Sequence, residues 1–104
     1  PDAVGPDAAL CLFRVAQEAL GNVVRHADAS SVTVTLREMG QGLLLSVRDD
    51  GIGFDPAAPR AVRTLGLASM RERVKLVNGT LDVEGAPGQG TAVVAWVPGN
   101  APPG

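Results

Sequence analysis

Apolar side chains along the chain predict two helices and four short strands. From about Asp7 to Ala27 they recur at steps of three and four residues and form one apolar face: Leu12, Val15, Ala16, Ala19, Val23 and Ala27. A second helix, predicted to open at Gly66 and to end at Asn78-Gly79, would bury Leu67, Met70, Val74 and Val77. Strands bounded by turn residues are predicted at residues 31–37, 43–49, 81–84 and 91–97.

The predicted elements follow in the order helix, two strands, helix, two strands, and this order indicates the fold class. Helices that are separate from hairpins favour an α+β fold, a two-layer sandwich with the helices on one face of a mixed, mainly antiparallel sheet. Residues 51–65, with two prolines and several alanines, are predicted to be a loop. Residues 1–98 would form a single domain, and residues 99–104, rich in Pro and Gly, a disordered tail.

Composition narrows the possible functions. The net charge of −2, from 9 basic and 11 acidic residues, argues against a nucleic-acid binder. The single cysteine, Cys11, excludes an internal disulfide and fits a reducing compartment, so a cytoplasmic location is expected. No apolar run is long enough to span a membrane. Because the chain starts at Pro1 without a Met, we expect a piece of a larger protein, whose sensor or membrane anchor would lie outside it. This piece is expected to be monomeric.

Polar residues form a second stripe on the first predicted helix. Arg14, Glu18, Asn22 and Arg25 follow steps of four, four and three residues, which places them on one narrow surface. A carboxylate beside a carboxamide can hold Mg²⁺, and an arginine one turn further on can meet a phosphate oxygen. The alternative is a solvated helix face on which Arg14 and Glu18 form a surface ion pair.

A glycine-rich loop follows the second predicted strand. Strand alternation puts Asp49 in phase with the apolar residues Leu43, Leu45 and Val47. A carboxylate at the edge of a core needs a donor, and the exocyclic amine of adenine would serve. Gly51 and Gly53 would leave room for a ring against the backbone. The alternative is an ordinary turn with a solvated acidic cluster.

Two further segments are candidates for nucleotide contacts. The helix that opens at Gly66 has unpartnered first amides, which favour a phosphate, and the preceding Arg60 and Arg63 could belong to a lid. A flexible connection is the alternative there. Thr91 is in phase with the apolar positions of the last strand and could join Asp49 at an adenine, or it is simply a β-branched strand residue.

In their order and spacing these motifs resemble one superfamily of ATP-binding domains, which groups histidine kinases, gyrase, mismatch-repair ATPases and a heat-shock chaperone. The resemblance covers about Leu10 to Pro98 and implies the Bergerat sandwich fold. The motifs are an N box at residues 13–27, a first glycine box at 49–53, a second glycine box at 66–74 and a closing G-x-G-T element at 88–91. The second glycine box is similar to that of histidine kinases whose response regulators carry helix-turn-helix outputs.

The resemblance implies a role for each candidate residue. Glu18 would orient the catalytic chemistry, Asn22 would ligate Mg²⁺, and Arg25 and His26 would lie near the phosphates of ATP. Asp49 would bind the adenine amine with support from Thr91. The remaining contacts to the nucleotide would come from Gly51, Gly53, Gly66 and Leu67.

The function implied is Mg-ATP binding and, in the parent protein, transfer of the γ-phosphoryl group to a histidine on a separate dimerisation helix. A response regulator would then receive it. His26 is not the expected acceptor: it lies inside the N box and precedes Ala27, whereas the family's acceptor lies upstream and precedes an acidic residue. The chain would therefore bind ATP but lack its phosphoacceptor. The alternatives are an anti-sigma-type serine kinase, whose phosphoprotein would be acid-stable, and a non-catalytic nucleotide-binding module.

Overall fold

A computed structural model describes residues 4–55 and 58–99. The predicted tail, residues 99–104, lies outside this part except for Gly99. The first helix is α1, continued by one π-helical turn, and two more helices and four strands follow. The bounds are α1 Pro6–Asn22, the π-turn Val23–Ala27, β1 Val32–Met39, β2 Gly42–Asp49, α2 Pro59–Thr64, α3 Leu67–Leu76, β3 Thr80–Gly85 and β4 Thr91–Pro98.

Two local predictions need correction. The predicted loop at residues 51–65 contains the short helix α2, which starts at Pro59, because proline suits a first helical position and its missing N–H has no role there. At the end of α3 the left-handed residue is Asn78, with φ of 63°, rather than Gly79. Gly79 is needed for another reason, since a Cβ there would overlap the carbonyl oxygen of Trp96.

The four strands form one sheet in the order β1-β2-β4-β3, and all neighbouring strands are antiparallel. Among the described strands there is therefore no parallel pair of the kind a mixed sheet would contain. Along β2 and β4 the register pairs Leu45 with Ala95 and Asp49 with Thr91. The end of β2 thus brings Asp49 directly opposite the first residue of β4.

The core lies between α1, α3 and the inner face of β2 and β4. The predicted faces are confirmed, because Val15 and Val74 are among the most deeply buried side chains and meet Val97 there. Other core members are Leu12, Ala19, Leu43, Leu45, Val47, Leu67, Met70, Val93 and Ala95. None of the described helices is both long and apolar enough to cross a bilayer.

The edge strand β1 is exposed along its whole length. Val34 and Leu36 pair with Val47 and Leu45, so they lie on the inner face of the sheet. They are nevertheless 47% and 57% exposed, because the helices pack over β2 and β4 rather than over β1.

Candidate active site

A cavity of about 60 Å³ lies between the end of the first helix and the adjoining ends of β2 and β4. Its wall brings together five of the residues singled out from the sequence: Asn22, His26, Asp49, Gly53 and Thr91. Apolar side chains complete the wall, which is what a flat aromatic ligand requires. These apolar residues are Ala19, Val23, Ala27, Val47, Phe54, Leu65 and Val93.

Asp49 is the charged acceptor at the wall of this cavity. Its Oδ1 accepts a hydrogen bond of 2.8 Å from the backbone N–H of Gly51, which fixes the carboxylate in place. Among the described residues, no donor is bonded to its second oxygen, Oδ2. The half-buried carboxylate can therefore accept one more hydrogen bond, from an N–H group of a ligand in the cavity.

Three residues of the polar stripe, Glu18, Asn22 and Arg25, form one linked cluster that adjoins the cavity through Asn22. An Nη2 atom of Arg25 lies 3.8 Å from Oε2 of Glu18 and donates to Oδ1 of Asn22 at 3.3 Å. Nδ2 of Asn22 donates to the carbonyl oxygen of Leu65 at 2.8 Å, which ties α1 to the segment before α3. The surface ion pair of Arg14 and Glu18, which was the alternative interpretation of this stripe, is not formed, and Arg14 donates instead to Gln17 at 3.1 Å.

Gly66 lets the start of α3 approach this cluster. Its φ of 67° is left-handed, and a Cβ there would lie 2.5 Å from Oε1 of Glu18. The Glu18 carboxylate thus lies against the backbone that precedes α3. Leu67, by contrast, is only 1% exposed and packs in the core, so its side chain does not line the cavity.

Comparison with known proteins shows the family of this chain. Residues 8–101 match the family of histidine kinase-, DNA gyrase B-, and HSP90-like ATPases. The chain belongs to this ATPase family. Within it, the chain is an ATP-binding catalytic domain of the sensor histidine kinase type, as its relatives indicate.

Those relatives are bacterial. The signal transduction histidine-protein kinase/phosphatase DegS of Bacillus subtilis is 34% identical over 97 residues, which are 91% of this chain and 25% of DegS. The blue-light activated histidine kinase EL346 of Erythrobacter litoralis superposes with a TM-score of 0.71 at 30% identity, over 91% of this chain and 31% of that one. The ATP-binding domain of PrrB from Mycobacterium tuberculosis gives 0.67 at 26% identity, over 88% and 66%. The chain thus spans about a quarter of DegS.

In this ATPase domain, the two glycines of the first glycine box have structural contacts of their own. A Cβ on Gly51 would overlap the carbonyl oxygen of Ala27, which accepts the N–H of Ile52 at 2.8 Å. A Cβ on Gly53, whose φ is 68°, would overlap the carbonyl oxygen of Ala86. Gly53 also lines the cavity, whereas Gly51 serves the close contact between this loop and the π-turn.

Sequence reasoning assigned no role to Asp50, which fastens the segment between the π-turn and β1 to the end of β2. Its Oδ1 accepts the backbone N–H groups of Ser30 and Ser31 at 2.8 and 2.9 Å, and its Oδ2 accepts the Ser31 hydroxyl at 3.2 Å. The backbone N–H of Ser31, followed by the other donors, holds the pKa of Asp50 below its usual range. The two adjacent carboxylates thus have different roles: Asp49 faces the cavity, and Asp50 fastens the loop before β1.

Asp50 is expected to contribute to the acid sensitivity of the fold. Since its pKa is lower in the folded state than the ordinary value of 3.8, its contribution is present above that value and is lost as the pH falls below it. The free energy of unfolding should therefore fall less between about pH 5 and about pH 3 in Asp50→Asn than in the wild type. Urea unfolding at both pH values measures this. An unchanged pH slope in Asp50→Asn would refute the assignment.

Proposed function

We propose that this domain binds Mg-ATP with the adenine in the cavity beside Asp49 and, in its parent protein, transfers the γ-phosphoryl group to a histidine on a separate helix. The observation that carries the proposal is the Asp49 carboxylate. It faces the cavity from the core side of β2 and has one oxygen held by Gly51, so the other oxygen would accept the adenine amine. Thr91, its cross-strand neighbour, adds a hydroxyl group at the same wall.

With the adenine beside Asp49, the phosphates of ATP would lie towards the polar cluster and the start of α3. The polar cluster of Glu18, Asn22 and Arg25 adjoins the cavity through Asn22, and its Glu18 lies next to Gly66. The first backbone bond of α3 runs from Met70 to the Gly66 carbonyl at 3.1 Å, so the amides before Met70 have no partner within the helix. A triphosphate between Arg25 and these amides would be bound by a cation and by a helix N-terminus. His26 lines the cavity wall and would add a contact to the nucleotide.

The residues present fit a magnesium ion that arrives with the nucleotide. The carboxamide oxygen of Asn22 is a hard donor of the kind Mg²⁺ prefers, and phosphates and water supply most ligands of nucleotide-bound Mg²⁺. Within residues 4–55 and 58–99, no group of three or more His, Cys, Asp or Glu side chains could hold a metal. When bound, the ion supplies positive charge against the oxygens of the transferred group. Asn22 would hold it, with Arg25 moving from Asn22 to a phosphate oxygen.

The transfer itself requires positioning and one proton acceptor. An imidazole nitrogen of the acceptor forms a bond to the γ-phosphorus while the bond from that phosphorus to the bridging oxygen breaks, and ADP leaves with the electron pair. The other imidazole nitrogen becomes acidic as the ring gains positive charge. Glu18, whose side chain is 43% exposed at the edge of the site, accepts this proton or its hydrogen bond. Arg25 offsets the charge on the phosphates.

The choice of purine tests the proposal. Guanine carries a carbonyl oxygen where adenine carries its amine, so it would set an acceptor against the Asp49 carboxylate. Calorimetric titration of this chain should show binding of Mg-ATP and at least about tenfold weaker binding of Mg-GTP, because a buried acceptor left without a donor costs about 1–3 kcal/mol. Equal affinities for the two nucleotides would contradict the position of the adenine, and no affinity for either would contradict the function.

A further inference from the structure

A second depression lies between α1 and α3, outside the adenine cavity. This groove, of about 370 Å³, is lined by Arg14, Gln17, Glu18, Ser69, Met70 and Arg73, and shares no lining residue with the adenine cavity. Met70, which is 2% exposed, lies at its base, whereas both arginines are exposed. Glu18 is the residue that belongs to both the groove and the polar cluster of the active site.

The groove carries more positive than negative charge, since two arginines and one carboxylate line it. Arg14 donates to the neutral side chain of Gln17, and within the described ranges neither Arg14 nor Arg73 has a carboxylate within 4.0 Å. The Glu18 carboxylate is paired on its other side, with Arg25. Two like charges in one groove repel each other. An anionic partner would remove that repulsion.

The pattern also says what kind of anion fits. A free phosphate carries no neutral or cationic group to set against the Glu18 carboxylate at the end of the groove. A peptide segment can set carboxylates against the two arginines and a neutral or cationic side chain against Glu18. The apolar base at Met70 suits the stem of such a segment better than a small ion.

We propose that this groove is the docking site of the segment that carries the phosphate acceptor, and that this segment is acidic. The proposal rests on the function proposed above. Carboxylates of the segment bind Arg14 and Arg73, and this places the acceptor imidazole beside Glu18. The two arginines thus select the protein substrate, whereas Asp49 selects the nucleotide.

The test uses the full-length parent kinase and its transfer of phosphate from saturating Mg-ATP to its own histidine. The double variant Arg14→Gln/Arg73→Gln should transfer about tenfold more slowly, with the dissociation constant of Mg-ATP unchanged within about twofold, since exposed ion pairs contribute up to about 1 kcal/mol each. The double Lys variant keeps both charges and should retain most of the rate. Arg71→Gln, on the same helix but outside the groove, should transfer as the wild type.

The dependence of the transfer rate on ionic strength distinguishes docking by charge from a structural role of the two arginines. Because exposed charges are screened, the wild-type rate should fall as the ionic strength rises, and the rate of the double Gln variant should change much less. Normal transfer in the double Gln variant, or a loss of rate that Lys does not rescue, overturns the docking proposal. A wild-type kinase that binds no Mg-ATP overturns the proposed function instead, so the two failures are distinct.

Discussion

Replacing Glu18 with Gln in the parent kinase is expected to slow phosphoryl transfer at least about a hundredfold, the usual contribution of a positioned proton acceptor. The affinity for Mg-ATP should stay within about threefold, because Glu18 acts on the acceptor and the nucleotide is held by Asp49, Asn22 and Arg25. The substitution keeps the size of the side chain, so its contact with the backbone at Gly66 is preserved. Single-turnover transfer and calorimetry, measured on the same variant, separate the two quantities.

A matched control is Glu72→Gln, since Glu72 is exposed on α3 and does not line the groove or the cavity. Both quantities should be unchanged in this control. A Glu18→Gln variant that loses affinity for Mg-ATP in proportion to its rate would assign Glu18 to nucleotide binding and would contradict its role as the proton acceptor.

Replacing Gly51 with Ala is expected to lower the free energy of unfolding by about 3 kcal/mol. The added methyl group would overlap the backbone carbonyl oxygen of Ala27, and backbone cannot move aside as a flexible side chain can. Overpacking of this kind costs about 1–3 kcal/mol. Relief by shifting the loop would also weaken the hydrogen bond from Ile52 to the same oxygen, worth about 1 kcal/mol. Urea unfolding of this chain measures the sum.

Gly88→Ala provides the comparison for Gly51→Ala. Gly88 has a φ of 78°, but a Cβ there would meet nothing within 4 Å. Its replacement should cost only the left-handed backbone penalty of about 1–2 kcal/mol. If Gly51→Ala costs no more than Gly88→Ala, the close contact between the loop and the π-turn is not a source of stability.

The elements that position the site could be predicted from the sequence because the spacing of apolar residues shows which side of a helix or strand is buried. The helical spacing through Ala27 and the alternation that ends at Asp49 each follow from which side of an element faces the core. Once Asp49 and Thr91 are assigned to inner faces, a shared wall for them requires only that β2 and β4 be neighbours, and they are.

Contacts between residues distant in the chain could not be predicted in this way. The anchoring of Ser30 and Ser31 by Asp50 joins segments about twenty residues apart, and nothing in the local pattern distinguishes Asp50 from a solvated acid. The choice of Arg25 rather than Arg14 as the partner of Glu18 likewise depends on side-chain positions within one helix face. The exposure of Val34 depends on where the helices lie, which strand alternation does not specify.

The central claim is that Asp49 holds the adenine of ATP, and calorimetric titration of Mg-ATP into this chain tests it most directly. We expect binding to the wild type, at least about tenfold weaker binding to Asp49→Asn, since a hydrogen bond to a charged acceptor contributes about 1.5–3 kcal/mol, and unchanged binding to Asp82→Asn. Equal affinity of the wild type and Asp49→Asn for Mg-ATP would contradict the claim.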